Sequence, residues 1–276
     1  DLKPETGTSY TLGFVWAPKF VGPLEGLRTS VDYYRIKVKD AITIADSNEF
    51  IADCYNYYGN NPTYDPNHPN CAALFRAGDI LGVSNLNDPS EAFLATNGGQ
   101  IETEGLDFQV AWGSKLGPGK LDLLFNLNYL LSYKLRTDAQ FPTNSLEGTI
   151  PYFGASSSGT TFTGEAFPKV KASISGRYKW QSLAFDARMR YIDGMKNRMS
   201  QLFPGEQSFT GVPSTTYWDF GGSWEATKNF TLRVGVNNAF DQKPRTYAPN
   251  VQSGTDPSTY DVIGRRFFVQ GNFQLK

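Results

Sequence analysis

The chain has 276 residues, a net charge of −1 and a pI near 6.0, a balance that excludes a strongly basic nucleic-acid binder. No apolar run approaches the roughly 18 residues of a membrane helix, and mean hydropathy is −0.41. Yet aromatics reach 14% and glycines number 27, which suits strands in which only every second residue must be apolar. The first residue is Asp1, with no Met and no charged-then-apolar leader. Either a signal has been removed or the start of a longer protein is absent.

From Thr8 to Pro18, Tyr10, Leu12, Phe14 and Trp16 alternate against Thr11 and Gly13, the period of a strand with one greasy face. Leu27 to about Ile44 predicts a second, longer strand. Leu27, Thr29, Val31 and Tyr33 share a face, then Tyr34, Ile36 and Val38 carry the apolar signal on the other parity. A bulge near Tyr33 would reconcile the halves, or the upper half stands above the lipid. From residue 45 to 97 periodicity vanishes into an Asn-, Tyr- and Pro-rich loop, a length that is functional or disordered. It holds both cysteines, Cys54 and Cys71. An even pair at that spacing suits a disulfide in an oxidising compartment; two free thiols is the competing reading. His68 and the acids Asp53, Asp65 and Asp88 read as separate solvated loop residues.

Gln100 to Lys115 predicts a strand with Leu106, Phe108, Val110 and Trp112 on one face, then a tight turn at Leu116 to Lys120. Leu121 to Tyr133 is the clearest strand: Leu121, Leu123, Phe125, Leu127, Tyr129, Leu131 and Tyr133 line one face, Asp122, Asn126, Asn128 and Ser132 the other. That row is too long for one side of an ordinary sandwich and would cross a hydrocarbon layer about 25 Å tall. After a Ser/Thr/Gly-rich loop to Phe167, Val170 to Trp180 and Leu183 to Tyr191 form a hairpin closed by Gln181-Ser182. Its wet face carries Lys171, Arg177, Asp186, Arg188 and Arg190, tolerable only toward water or carboxylates. A third loop, 193–213, precedes Trp218 to Trp224, a short turn, Phe230 to Val236, another loop to about Tyr260, and a closing strand from Gly264 to Lys276. On that last strand Phe267, Val269, Gly271, Phe273 and Leu275 alternate with Arg266, Gln270, Asn272 and Gln274, and Phe268 is the one apolar residue on the wet side. The count is about nine strands, with connections alternately long and short. In a membrane barrel the short turns are periplasmic and the long loops extracellular, and an odd count implies strands missing before Asp1.

Four segments in order resemble the C-terminal barrel portion of TonB-dependent outer-membrane receptors. They are Asp1-Leu2-Lys3-Pro4-Glu5 with the strand after it, Asp32 to Ile42, Val236-Asn237-Asn238-Ala239-Phe240-Asp241, and Tyr260 to Val269. The resemblance covers nearly all of residues 1–276. It implies an all-β transmembrane antiparallel β-barrel, about nine strands of a 22-stranded barrel plugged by an N-terminal domain. The Cys-bounded loop, 45–97, would be a long extracellular loop. The implied function is binding of a scarce nutrient, such as an iron chelate or an oligosaccharide, at the surface of a Gram-negative outer membrane. Import would draw on the TonB-ExbB-ExbD complex through the absent N-terminal part, and the barrel assembly machinery would insert the protein into outer-membrane lipid. The plug and TonB box have no match, and Leu275-Lys276 stands where such receptors end in an aromatic residue.

No paired carboxylates, nucleophile elbow or metal constellation is visible, so no enzyme activity, catalytic residue, cofactor or metal is expected. A passive porin-like channel would share the wall without plug or TonB. A soluble all-β binding protein would bury Leu121 to Tyr133 in its own core. For ligand contact, loops carry specificity, and tyrosine pairs a stacking face with a hydrogen-bonding tip. The candidates are Tyr55, Tyr57, Tyr58 and Tyr64 in the Cys loop, Phe203 and Tyr247 on later loops, and Arg245 as the loop cation for an anionic ligand. The competing reading is that these rings pack the loops against one another. Arg177, Arg188, Arg190, Arg233 and Arg266 are expected to pair with wall or plug carboxylates.

Overall fold

Strands dominate the computed structural model, which describes residues 2–43, 47–75, 95–139, 143–150, 165–198, 205, 209–247 and 254–274. In chain order they are β1 (Thr6–Trp16), β2 (Arg28–Thr43), β3 (Thr96–Leu116), β4 (Gly119–Arg136), β5 (Asn144–Ser145), β6 (Thr149–Ile150), β7 (Val170–Trp180), β8 (Leu183–Ile192), β9 (Met195–Asn197), β10 (Gly211–Val212), β11 (Thr215–Thr227), β12 (Phe230–Asn237) and β13 (Arg266–Phe273). Two short helices, α1 (Ser47–Cys54) and α2 (Pro69–Phe75), lie in the long connection after β2.

Nine of these strands form one wall in the order β1-β2-β3-β4-β7-β8-β11-β12-β13, every neighbour antiparallel. Chain neighbours are always sheet neighbours, so the meander is dictated by its turns. Gln181 has φ 53° and Gly117 φ 55°, the left-handed backbone that two-residue hairpin turns need. Lys228 and Asn229 close β11 onto β12. The long connections all lie at the opposite end of the wall.

Register fixes which side chains share a face. Phe14 lies opposite Val31, Val31 opposite Phe108, Phe108 opposite Leu127, and Leu127 opposite Ala172. The belt continues through Phe185, Trp224, Val234 and Val269. No layer of the described residues covers it: Leu12 is 76% exposed, Phe185 54% and Val269 76%. Water would not tolerate so large a contiguous patch, whereas lipid would cover it. Leu121 to Leu131 therefore does not face a protein core, as the soluble reading required.

The structure decides between the two readings of β2 and corrects one expectation for β4. No bulge occurs at Tyr33: β2 pairs without interruption with β3 from Arg28 to Lys39, and the register slips only beyond it, at Ala41, where Asp40 has φ 55°. At constant outward parity, Val31 and Tyr33 simply give way to Arg35, Lys37 and Lys39, so the upper half of β2 stands above the apolar belt. Conversely, β4 does carry a bulge. Gly105 pairs with Leu130 but Glu104 with Ser132, so Leu131 is the extra residue and parity flips after it. Tyr133 and Leu135 thus leave the greasy row. Leu135 is buried, and the Tyr133 ring meets Phe167 at 4.6 Å. Period two, read along one strand, carries no mark of such an insertion.

The other face is wet and concave. It holds cross-strand ion pairs: Arg177–Asp186 at 3.2 Å, Lys179–Glu225 at 2.6 Å, and Arg190–Asp219 at 3.0 Å. Phe268, the apolar intruder, lies over Gly235, where a Cβ would meet its ring at 2.5 Å. The missing side chain makes its room.

Leu127 sits in mid-belt, so Leu127→Arg should cost about 2–4 kcal/mol of stability in a bilayer. Urea titration of folding into lipid vesicles tests this, with Asn126→Arg on the wet face as the comparison. Equal costs for the two would refute the assignment of faces.

Candidate ligand-binding site

Two structures crown the long-connection end. The first is a helical knob built from residues 47–75. Pro69 opens α2, where its fixed φ suits a first helical position. Cys54, ending α1, is bonded to Cys71 in α2, with 4.8 Å between Cα atoms. Between them Asn61 is a hub. Its Nδ2 donates to the carbonyls of Cys54 (2.8 Å) and Asp65 (3.1 Å), and its Oδ1 accepts from the Asp65 amide at 2.8 Å. Asp53, expected in solvent, is 2% exposed. Asn60 and Asn70 donate to its two oxygens at 2.7 and 2.5 Å, because a buried carboxylate must be hydrogen-bonded. His68 Nδ1 accepts from the Asn70 amide at 3.4 Å and lies 4.0 Å from Asp53. The knob is thus held by a disulfide and by amide side chains.

That construction turns tyrosines outward. Tyr55, Tyr57 and Tyr64 are exposed, and Tyr57 meets Tyr58 edge-on at 5.0 Å. Tyr64 and Asn56 hold left-handed φ values of 53° and 61°, which bend the chain between the helices. Four of the seven candidate ligand residues therefore lie on one knob. Residues 47–75 contain no Lys or Arg.

The second structure is a small core at the base of the later loops. There β6 pairs with β9 and β9 with β10, and Ile150, Ile192, Met195, Val212, Tyr217, Tyr247 and Tyr260 pack together. Tyr247 is buried in this cluster, its ring 6.4 Å from that of Tyr260. It offers solvent no face, so packing is its role in this structure. Burial pushes both phenols well above their ordinary pKa. Arg245 is held at the edge: Nε donates to Thr215 Oγ1 at 2.8 Å and a terminal nitrogen to the Ser214 carbonyl at 2.6 Å. Phe203 and Asp88 lie outside the described residues. The two- and three-residue strands and the loop core left no periodic signal in the sequence.

Asp256 ties two connections together. It accepts from the Ala166 amide at 3.1 Å and from Ser258 N and Oγ at 2.8 and 2.7 Å. Burial raises its pKa, but these hydrogen bonds outweigh that and hold it below the usual carboxylate value.

Beneath the loops the wet wall forms a concavity of about 490 Å³, bordered by Asp32, Asn126, Lys171, Arg188, Arg190 and Tyr217. Arg190 grips Asp219 with Nε and one terminal nitrogen and lies 4.9 Å above the Tyr217 ring. Arg266 pairs with Asp261 at 3.3 Å. Of the five wall arginines expected to pair, Arg177, Arg190 and Arg266 do so within the wall. Arg188 and Arg233 have no carboxylate partner among the described residues. No group of three or more His, Cys, Asp or Glu among the described residues is placed to hold a metal ion.

Comparison with known proteins bears on what this arrangement serves. The family model described as "TonB dependent receptor-like, beta-barrel" matches residues 1–239. No curated protein sequence matches. Among solved structures, the siderophore receptor PirA from Acinetobacter baumannii aligns over 99% of this chain and 32% of its own, with 16% identity and a TM-score of 0.55. A mutant of the ferric enterobactin receptor PfeA from Pseudomonas aeruginosa aligns over 99% and 31%, with 15% identity and a TM-score of 0.53. The copper transporter OprC aligns over 99% and 31%, with 16% identity and a TM-score of 0.53. At these identities the likeness is one of fold, and the chain spans about a third of the length of each structure.

Two outcomes are expected. Replacing Cys54 and Cys71 with Ser should ease local opening of the knob by about 3 kcal/mol, seen as rapid proteolysis within residues 47–75 while the wall's melting is unchanged. Lowering the pH should release the loop at Asp256. A depressed folded pKa gives stability that is complete above the unfolded value and lost as pH falls through the folded one. Hydrogen-exchange protection in residues 254–260, taken relative to the intrinsic rate at each pH, should therefore fall on acidification, and in Asp256→Asn should be low throughout.

Proposed function

The chain belongs to the TonB-dependent receptor β-barrel family, and from that premise we propose that it forms part of the wall of an outer-membrane receptor importing a scarce solute. In this reading the wall is completed by strands of a longer polypeptide, to the 22 of a plugged barrel. Its short turns face the periplasm and its long loops the cell exterior. A ligand binds at the loop end and passes along the wet wall with energy from the TonB-ExbB-ExbD complex. The protein acts as a transporter with no catalytic step.

The observation that carries this reading is the division of the wall. One face is an uncovered apolar belt, the other a polar concavity under ordered loops. A membrane transporter needs both. Among the similar structures are a ferric enterobactin receptor, a siderophore receptor and a copper transporter, which makes a metal chelate one reasonable cargo class; an oligosaccharide is the other. The first contact is assigned to Tyr55, Tyr57, Tyr58 and Tyr64. With no cation in the knob, they suit a flat, weakly charged ligand surface that stacks on rings. Arg245, held at the edge of the loop core by Thr215 and Ser214, would serve an anionic ligand.

The test is uptake by cells expressing the full-length protein, with a ferric catecholate and a maltooligosaccharide as separate probes. Import of at least one should stop when the proton gradient is collapsed. Replacing Tyr55, Tyr57 and Tyr64 together with Ala should weaken binding of that probe about tenfold with surface expression unchanged. Uptake that persists without the gradient would establish a passive channel instead.

A further inference from the structure

Outward-pointing side chains change character sharply along β2, β3 and β4. Up to Tyr33, Leu106 and Tyr129 they are apolar. Above that level the same parity holds Arg35, Lys37 and Lys39 on β2, Glu104 and Glu102 on β3, and Lys134 and Arg136 on β4. Register makes them one patch. Arg35 lies opposite Glu104, Lys37 opposite Glu102 and Lys39 opposite Gln100, and Lys134 and Arg136 lie opposite Glu102 and Gln100. Two carboxylates therefore face five cations.

The carboxylates are already engaged. Glu102 takes Arg35 at 2.5 Å and Lys37 at 3.2 Å. Glu104 accepts from the Tyr33 hydroxyl at 2.9 Å. Glu147, in the connection after β5, accepts from the Tyr133 amide at 3.2 Å. Lys39 and Lys134 are exposed and have no carboxylate partner among the described residues, and the Arg136 Nε is enclosed with no hydrogen-bond partner among them. The surplus positive charge sits immediately above the apolar belt, on its own side of the wall. There the medium is neither hydrocarbon nor the aqueous interior but the headgroup layer. Clustered Lys and Arg at that depth attract anionic headgroups, and a guanidinium fork matches phosphate geometry.

We propose that Lys39, Lys134 and Arg136 form a docking site for the phosphate of a membrane lipid headgroup in the leaflet on the long-connection side. The Arg35–Glu102–Lys37 bridge holds the patch rigid. Tyr33 and Tyr129, just below, mark the depth at which the acyl chains begin. This rests on the membrane-wall reading of the chain.

The experiment uses the full-length protein purified in a neutral detergent and exposed to lipid A, a glycolipid with two phosphates, with retained lipid counted by native mass spectrometry. Wild type should retain lipid A. The triple variant Lys39→Gln, Lys134→Gln and Arg136→Gln should retain at least fivefold less. Lys228→Gln, at the short-turn end, should behave as wild type. Enzymatically dephosphorylated lipid A should be retained by none of them, and inorganic phosphate at matched concentration should not displace the lipid. Equal retention by the triple variant, or equal retention of the dephosphorylated lipid, would overturn the proposal. Insertion into neutral phosphatidylcholine vesicles is scored in parallel. If wild type inserts and the triple variant still retains lipid A, this inference alone fails. If wild type does not insert, the membrane reading fails with it.

Discussion

In hydrocarbon a backbone N–H or C=O left without a partner has no water to turn to. Every feature of this wall follows from that constraint. The nine strands pair in unbroken register through the apolar belt, so each residue keeps one face from strand to strand. The four slips in the long strands lie at the belt's borders. Two are beyond Lys39, on either side of Ala41, one is at Leu131 next to Glu104, and one is between Glu225 and Thr227 past Trp224. Where water can reach the backbone, an unpaired residue is tolerable, and there the chain uses it to re-aim side chains. The bulge at Leu131 is the clearest case, because it turns Tyr133 and Leu135 from the lipid side into the base of the loops.

The same constraint leaves the inner face free to be polar. An ion pair facing water gains little on its own, but several of these bridge neighbouring strands: Arg177 on β7 with Asp186 on β8, Arg190 on β8 with Asp219 on β11. Asp261 adds the connection before β13, taking Arg266 and the amides of Ile263 and Gly264. Tyr217 joins wall and loops most directly. Its ring lies under Arg190, its hydroxyl accepts from the Asp261 amide at 3.3 Å, and its body belongs to the loop core. The loops are therefore an extension of the wall rather than a separate cover.

Period two was visible in the sequence because lipid and water demand opposite side chains, and that demand repeats at every second residue. It named the nine strands and the greasy row from Leu121 to Tyr129. It could not place Tyr133, since a bulge is a relation between two strands. On β2 it left a bulge and a change of depth both open, and the step from Tyr33 to Arg35 is a change of depth at constant parity. The helices α1 and α2 were missed because each is two turns long, too short for a helical stripe to emerge from Asn- and Pro-rich surroundings. At the site, composition alone drew attention to Tyr55, Tyr57 and Tyr64, whereas the burial of Tyr247 and Asp53 depends on partners far away in sequence or supplied by amide side chains.

The knob shows why those partners matter. Among the described side chains of residues 50–72, the buried apolar groups are Phe50 and the half-cystines, and a segment that small cannot be held by apolar burial alone. Closing it with a disulfide removes much of the freedom of its unfolded chain, and Asn61 and Asp53 fix the turns inside. Aromatic residues that a larger core would have consumed are then left on the surface, mounted on a rigid base. Binding at such rings costs less entropy than binding at a loop that must first be ordered. Holding the knob by a disulfide and amide side chains is thus what leaves its tyrosines available to a ligand.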